Sequence, residues 1–252
     1  MYLRGWKYEG RKISDKLHEQ MLDIIAVLND EKQVAGRKWP ALQKDISDKL
    51  GIATGQVRTI KRMMEAFGIL KEGSLNSYKI PNAKDIYAEN GRTLVELLET
   101  EKLMRENQEA NDEELMKEIK SIYRLYYQQV LVNYTYNEDG KILHPLRAAL
   151  KALKKYEYLN YWEWYLLNTV IRSDDNLEEE AELDRLITAY RAGQIKFMSG
   201  DIIENKLSHS YVLGNFEYAG FVCVSGSKES IRIILNKDAR KIIDEITKEE
   251  SF

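Results

Sequence analysis

Polar side chains that can hydrogen-bond to DNA bases cluster in the segment GQVRTIKRMMEAFGIL, residues 55–70. Its apolar residues recur at three- and four-residue spacing, which is typical of a helix with one buried face. They are Val57, Ile60, Met64 and Phe67. The polar residues on the opposite face are Gln56, Arg58, Thr59, Lys61 and Arg62. Because a guanidinium group can pair bidentately with guanine O6 and N7, this face predicts a helix that reads base pairs.

The residues around this helix predict a winged helix-turn-helix over residues 39–80. A shorter helix precedes it, with an apolar stripe at four-residue steps formed by Leu42, Ile46 and Leu50. Gly51 ends that first helix and Gly68 ends the second, because glycine commonly terminates helices. Residues 69–70 and 77–80 then read as two short strands joined by the turn formers KEGSLNS, so the wing is expected to be a hairpin.

Charge favours DNA as the partner of this module. Residues 36–71 contain eight lysines and arginines against three acids, whereas the whole chain has a net charge of −3. A phosphate backbone responds mainly to charges within a Debye length, roughly 8 Å at physiological salt, so the local excess matters more than the total. The basic residues that flank the helices, Arg37 and Lys38, and Asn76 in the wing are further expected DNA contacts. The alternative is a winged helix that makes only protein contacts.

The first dozen residues combine cations with aromatic side chains, with Arg4, Lys7, Arg11 and Lys12 interleaved with Tyr2, Trp6 and Tyr8. This pattern suits an arm that lies along DNA, in which Trp6 and the four cations make contacts. It also suits a folded strand whose aromatic residues pack on the module behind it. Ser14 then precedes an amphipathic pattern that predicts the first helix of the winged unit.

Composition indicates a mainly α fold with small β wings, and the order of the predicted elements indicates tandem winged-helix subdomains. With 252 residues, the chain is expected to form two domains. A helix break is predicted near Asn90-Gly91. Residues 96–120 are acidic and are interpreted as a linker or an outward-facing helix. The predicted domains are residues 1–108, which hold the arm, the winged helix and the acidic linker, and residues 109–252.

The second half predicts a helical domain that also ends in a wing. Its core is expected in helices containing PLRAALKALKKY and YWEWYLLNTVIR, with Pro145 in the first turn of one and Asn160 capping the other. A helical stretch, a hairpin formed by 221–224 and 231–235, and a closing helix then repeat the outline of the first module. Lys206, Ser208 and His209 form a second candidate reading face, and the alternative is that this domain is a scaffold.

Catalysis and metal binding are not expected in this chain. Residues 173–184 contain seven acids and no base, but acids at a helix start more often offset the helix dipole than bind a metal. Glu118-Ile-Lys120 spells a nuclease-like pair inside a helical pattern. The three histidines lack metal-ligand spacing, and Cys223, the only cysteine, is expected to be a buried structural thiol.

No apolar run approaches the roughly 18 residues that a membrane span requires, and the N-terminus lacks the apolar core of a secretion signal. We therefore expect a cytoplasmic protein without a membrane partner.

The second half resembles a known family. GKILHPLRAALKALKKYEYLNYWEWYLLNTVIRSDDN, residues 140–176, is followed by a charged helix with AYRAG and by SYVLGNFEYAGFVCVSGSKESIRIILNKDARKIIDEI. These runs, in element order and hydrophobic pattern, resemble the DNA-recognition region of FokI/AlwI-type type IIS restriction endonucleases and related nicking enzymes. The opening LRGWKYEGRKISDKLHEQM is similar to their tryptophan-containing N-terminal arm.

The resemblance implies sequence-specific binding of double-stranded DNA at an asymmetric site. It also implies that cleavage belongs to a separate nuclease domain or subunit that uses Mg²⁺, so no cofactor is expected in this chain. Two alternatives remain open. One is a winged-helix protein that initiates plasmid replication or regulates transcription. The other is a small stand-alone metal-dependent nuclease.

Overall fold

A computed structural model describes residues 1–7, 11–82, 85–106, 113–138 and 140–248. The chain divides into two compact units. We call Glu9–Val130 the N-terminal unit, and Met1–Tyr8 together with Leu131–Phe252 the C-terminal unit. The described residues are mainly helical, as expected. None of the described helices combines the length and apolar character needed to cross a membrane.

The helices of the N-terminal unit are α1 (Asp15–Asn29), α2 (Glu31–Val34), α3 (Trp39–Leu50), α4 (Thr54–Ala66), α5 (Glu89–Glu106) and α6 (Glu113–Asn133), whose last turn lies in the C-terminal unit. Helix α1 packs on α3 and α5, and α3 packs on α4. Ser14 caps α1 as predicted, because its hydroxyl accepts a hydrogen bond from the Leu17 amide at 3.3 Å. The predicted inner stripe of α1 is buried, from Leu17 to Leu28.

The predicted wing pairing is wrong. Leu70 pairs with Tyr87 in a single antiparallel bridge, and Lys71 N donates to Ile86 O at 2.8 Å. The returning segment is therefore 86–88, and residues 77–80 lie in the connecting loop without strand pairing. The reason is burial, since Ile86 and Tyr87 are buried whereas Tyr78 is 85% exposed.

The predicted helix break at Asn90-Gly91 is also wrong, because both residues lie in the first turn of α5. A Cβ atom at position 91 would collide with the backbone of Ile69. Glycine at this position therefore allows α5 to lie directly against the chain that leaves α4.

A buried polar cluster joins α1, α5 and α6. The His18 imidazole shares a hydrogen bond of 2.9 Å with the Tyr127 hydroxyl and stacks on its ring. The Tyr123 hydroxyl donates to Glu101 at 2.6 Å, and Arg105 donates to the same carboxylate. The aromatic half of α6, which we predicted in the second domain, thus packs in the N-terminal unit.

The C-terminal unit contains strands β1 (Leu3–Arg4), β2 (Tyr136–Glu138), β3 (Lys141–Leu143), β4 (Leu159–Asn160), β5 (Ile202–Glu204), β6 (Val222–Ser225) and β7 (Arg232–Leu235). Its helices are α7 (Pro145–Tyr156), α8 (Tyr161–Val170), α9 (Leu177–Arg191), α10 (Ser208–Tyr218) and α11 (Arg240–Ile246). Strand β1 pairs in parallel with β5, β2 with β3, and the three-stranded antiparallel sheet has the order β4-β7-β6.

Helix α8 is the centre of this unit. Asn160 caps it in a capping box with Glu163, which confirms the predicted cap, and Pro145 stands in the first turn of α7 as predicted. Trp164 and Tyr165 are fully buried. The buried Glu163 carboxylate is neutralised by Arg191, whose Nε lies 2.5 Å away.

The first strand packs on α8 through buried hydrogen bonds. Asn168 Oδ1 accepts from the Trp6 backbone amide at 2.7 Å and from the Ser208 hydroxyl at 2.6 Å. The Trp6 indole donates to Ile171 O at 3.0 Å. Of the two alternatives for the N-terminus, residues 3–6 thus form the folded strand. These residues pack within the C-terminal unit, whereas we expected them to pack on the winged-helix module that follows them in the sequence.

The unit boundaries differ from the predicted domains, residues 1–108 and 109–252. Residues 1–8 join the C-terminal unit because of the contacts of Trp6, and most of α6 joins the N-terminal unit because of Tyr123 and Tyr127. Of the acidic stretch 96–120, which was predicted to be a linker or an outward-facing helix, residues 96–106 lie in α5 and residues 113–120 lie in α6. Residues 107–112 lie outside the described residues.

The sheet of the C-terminal unit corrects the expectation for Cys223. Alternate side chains of a strand point to opposite faces. Because Val222 is buried, Cys223 faces the other way and is exposed. The predicted hairpin is confirmed, with β6 and β7 paired from Val222 with Leu235 to Ser225 with Arg232.

The buried cluster around His18 predicts a pH dependence of the N-terminal unit. Burial lowers the pKa of His18 below 6.5, although the Glu101 charge acts in the opposite direction. The folded state therefore keeps the ring neutral where the unfolded chain protonates it. The free energy of unfolding should be fully present above about pH 7 and should fall as the pH drops below about 6.5.

NMR titration of the histidine ring signals checks this expectation, because His18 should titrate below 6.5. Replacement His18→Gln should reduce the loss of unfolding free energy between about pH 7 and pH 5. A His18 signal that titrates at or above 6.5 would contradict the assignment.

Candidate functional site

Helices α3 and α4 are joined by a short turn whose geometry is held by side-chain hydrogen bonds. Gly51 adopts a left-handed conformation with φ of 62° and ends α3, as predicted. Ser47 Oγ donates to Ile52 O at 2.5 Å, and Gln43 Nε2 donates to Thr54 O at 2.6 Å. Both donors are buried, so they fix the direction in which α4 leaves the turn.

The buried face of α4 determines which of its side chains are exposed. Val57, Ile60 and Met64 are buried as predicted, and so is Met63. Arg58 and Arg62, four residues apart, consequently lie on one exposed face with Gly55. A helix rises 1.5 Å per residue, so these two Cα atoms are separated by about 6 Å along the axis, close to two base-pair steps.

Arg58 and Arg62 have no partner within the described part of the chain, since neither forms an ion pair or a hydrogen bond there. Like charges four residues apart on a helix repel one another. Two adjacent guanidinium groups without a carboxylate are therefore available to an external anion or hydrogen-bond acceptor.

The remaining predicted residues of α4 are placed differently. Lys61 is largely buried and forms an ion pair with Glu65 at 2.8 Å, so it is not a free reader. Thr59 is partly buried and donates its hydroxyl to Gly55 O at 3.0 Å. Gln56 is exposed.

The other predicted basic residues of the N-terminal unit differ in their surroundings. Arg37 binds Asp45 at 2.7 Å, and that hydrogen bond lowers the pKa of the Asp45 carboxyl. Arg11 donates to Gln20 at 2.7 Å. Lys12 and Lys38 are exposed.

The loop after α4 contains candidate contacts that the sequence analysis did not select. Asn76, which we expected to contact DNA, is engaged within the loop, where its side-chain oxygen accepts from the amides of Tyr78 and Lys79 at 2.8 Å each. This turn presents Tyr78, 85% exposed, together with the exposed Lys79. An alternating SYK sequence reads as a strand, which is why the exposed tip was missed.

The candidate residues in the C-terminal unit require correction. Trp6 is 1% exposed and Ser208 is fully buried, so both hold β1 against α8 and neither can reach DNA in this conformation. His209 donates or accepts a hydrogen bond with the Tyr165 hydroxyl at 2.8 Å. Burial lowers the pKa of His209, so the ring is neutral at pH 7 and offers no charge to a phosphate.

Three cations of this unit that we predicted to contact DNA lie outside α10. Lys7 and Lys206 are exposed, and Arg4 is partly buried in β1. Helix α10 itself contains no lysine or arginine. The scaffold alternative for this domain therefore fits the described side chains better than a second reading helix.

Most of the acids of residues 173–184 bind basic side chains or backbone amides. Asp174 binds His144 at 2.5 Å, and Glu179 binds Lys141 at 3.0 Å as well as the amides of residues 172 and 173. Among the described residues, His, Cys, Asp and Glu side chains do not converge in any group of three that could hold a metal ion.

Comparison with known proteins adds no relative: the search of protein families finds no matching family, and the search of curated proteins finds no significant match.

The hydrogen bond from Gln43 to Thr54 predicts how a substitution of Gln43 changes the stability of the N-terminal unit. Gln43→Leu removes the donor to Thr54 O from a buried position, and the lost bond should lower the free energy of unfolding of the N-terminal unit by about 1–3 kcal/mol. Gln56→Leu is the matched control, because Gln56 is exposed on α4 and its loss should change stability by less than about 0.5 kcal/mol. Chemical denaturation of both variants measures the difference, and equal effects would refute the role of Gln43.

Proposed function

We propose that this chain binds double-stranded DNA in a sequence-specific manner, with α3 and α4 acting as a helix-turn-helix and α4 lying in the major groove. We further propose that it is the target-recognition part of a type IIS restriction or nicking endonuclease. In this proposal cleavage belongs to a partner nuclease domain or subunit, and no step is assigned to a metal bound by the described residues.

The observation that carries the proposal is the pair of exposed guanidinium groups of Arg58 and Arg62, for which no described residue provides a partner. Many other cations of the chain are neutralised locally, as with Lys61 by Glu65 and Arg191 by Glu163. Two adjacent arginines on the second helix match the chemistry that reads guanine edges in the major groove.

The turn between α3 and α4 supports the same proposal. In helix-turn-helix proteins, the second helix enters the groove with its N-terminal residues at the base edges. Here the N-terminal residues of α4 include Gly55 and Gln56, which are exposed, and a Cβ atom at Gly55 would meet open space. A DNA surface can therefore approach this end of α4 closely.

The loop that contains Tyr78 and Lys79 would supply the wing of a winged helix. An exposed aromatic ring beside a lysine suits contact with a sugar and a phosphate. The assignment to the restriction endonucleases rests on the resemblance of residues 140–176 and 210–246.

Substitutions on α4 test the base-reading role. Arg58→Ala and Arg62→Ala should each weaken binding to a selected duplex by about 1–3 kcal/mol and broaden the accepted bases. Arg58→Lys and Arg62→Lys keep the charge but lose the bidentate fork, so they should lose most of the base preference and keep nonspecific binding. Fluorescence anisotropy with the selected site and single-base variants measures both effects.

Arg124→Ala is the matched control for these variants, because Arg124 is an exposed arginine on α6 of the same unit and has no ion pair with any described residue. It should leave base preference unchanged. If all the α4 variants bind the selected site as the unmodified chain does, the reading face has been assigned to the wrong residues.

The salt dependence of binding tests the electrostatic part of the proposal. A module with a local excess of cations should give a slope of log K against log salt concentration on the order of −3 to −6, despite the net charge of −3 of the chain. Titrations between low and physiological salt measure this slope. A value near zero would show that phosphate contacts do not drive binding.

A further inference from the structure

A cavity of about 370 Å³ lies within the C-terminal unit, among α7, α8 and α9. This volume is in the range of small-molecule sites. Its apolar lining includes two alanines one helical turn apart on α7, and these small side chains leave the space open. The apolar lining residues are Ala148, Ala152, Leu167, Ile171 and Leu183.

The positively and negatively charged residues that line the cavity come from different elements. Helix α7 supplies four cations, and they are Arg147, Lys151, Lys154 and Lys155. The segment after α8 and the start of α9 supply the acids Asp174, Asp175 and Glu180. Lys154 is paired with Asp244 and Lys155 with Asp184, so the cations that a ligand could bind are Arg147 and Lys151. A ligand in this cavity would meet these two cations, an apolar surface and a set of hydrogen-bond acceptors.

One carboxylate holds two of the cations. Asp175 binds Lys151 at 2.5 Å and Arg147 Nη1 at 3.1 Å, so this pair of cations has one positive charge in excess. Asp175 also adopts a left-handed backbone conformation, with φ of 52°, which is strained for a non-glycine residue. Because the Asp175 side chain is 53% exposed, water weakens these ion pairs and an incoming anion can replace this carboxylate.

The Arg147 guanidinium is incompletely satisfied. Its Nε is buried and has no hydrogen-bond acceptor among the described residues. A buried donor without an acceptor destabilises the folded state, so a ligand that supplies an acceptor there is favoured. An anion that replaced Asp175 would bind Nη1, and a small rotation of the guanidinium would bring Nε to a second oxygen.

An aromatic ring also lines the cavity. The Tyr156 ring lies near two cations, with Lys155 Nζ at 5.6 Å and the Arg191 guanidinium carbon at 5.8 Å from its centroid. Its hydroxyl donates to Asp184 at 2.7 Å, which fixes the ring. A fixed ring beside an apolar surface suits a planar ligand.

We propose that this cavity binds a single nucleotide, with the base on the apolar lining beside Tyr156 and the phosphate on Arg147 and Lys151. The acids Asp174 and Glu180 then accept hydrogen bonds from amino groups of the base. The nucleotide is either a free mononucleotide or an unpaired nucleotide of a DNA strand. This site is separate from the α4 face and does not depend on its assignment.

Isothermal titration calorimetry of the full chain with AMP, GMP, CMP and dTMP tests the proposal. At least one mononucleotide should bind with one-to-one stoichiometry. Arg147→Gln should weaken binding about tenfold or more through the lost charge-assisted hydrogen bonds. Ala148→Phe should abolish binding, because Ala148 is only partly buried and a larger ring can fill the cavity.

Arg185→Gln is the matched control, since Arg185 is an exposed arginine on α9 that binds Glu182 and does not line the cavity. It should bind as the unmodified chain does, and thermal melts of all variants establish that they are folded. Competition of the bound mononucleotide by a duplex with one unpaired nucleotide, but not by a fully paired duplex, would identify DNA as the source. Binding of mononucleotides without such competition would identify the free form.

Two results would overturn the proposal. One is the absence of heat with every mononucleotide at about 1 mM ligand. The other is binding that both folded cavity variants retain at full strength, which would place the nucleotide elsewhere.

Discussion

Burial of one face of α4 is the constraint on which the proposed function depends. Val57, Ile60, Met63 and Met64 are nearly inaccessible to solvent. Because helix geometry fixes the directions of side chains, the burial of these residues places Arg58 and Arg62 on the opposite, exposed face. The hydrophobic effect thereby orients two polar groups for which the described residues contain no partner. The hydrogen bonds of Gln43 and Ser47 add to this by fixing the turn from which α4 starts.

The C-terminal unit is organised by a different kind of interaction. Asn168 is fully buried, and its side chain joins the backbone of Trp6, the Ser208 hydroxyl and the Trp164 carbonyl. Each bond satisfies a group that would otherwise be buried without a partner, so the three segments are held as a set. Residues 3–6 are thereby part of a folded core, which explains why Trp6 is not available as a DNA contact.

Local signals in the sequence were sufficient for the caps and the helix faces. Ser14, Gly51 and Asn160 act through residues within five positions, and the apolar spacing of α1 and α4 reports their buried faces directly. Long-range pairings were not predictable in this way. The bond from Trp6 to Asn168 spans 162 residues, and Leu70 pairs with Tyr87 because of burial that no local pattern records.

The candidate site was predicted in part for the same reason. The exposure of Arg58 and Arg62 follows from helical periodicity alone. The pairing of Lys61 with Glu65 and the turn formed by Asn76 depend on geometry that residue types do not specify. The cavity beside Tyr156 lies among three helices, and its lining residues do not form a motif in the sequence.

The most direct test of the central claim is chemical probing of guanine N7 in a duplex selected from a random library with this chain. The account predicts enrichment of one asymmetric site and protection of guanine N7 from methylation within it, since N7 lies in the major groove. That protection should be lost in Arg58→Ala or Arg62→Ala complexes that are still bound at low salt. Failure to enrich any site, two symmetric half-sites, or protection that persists in both variants would contradict the account.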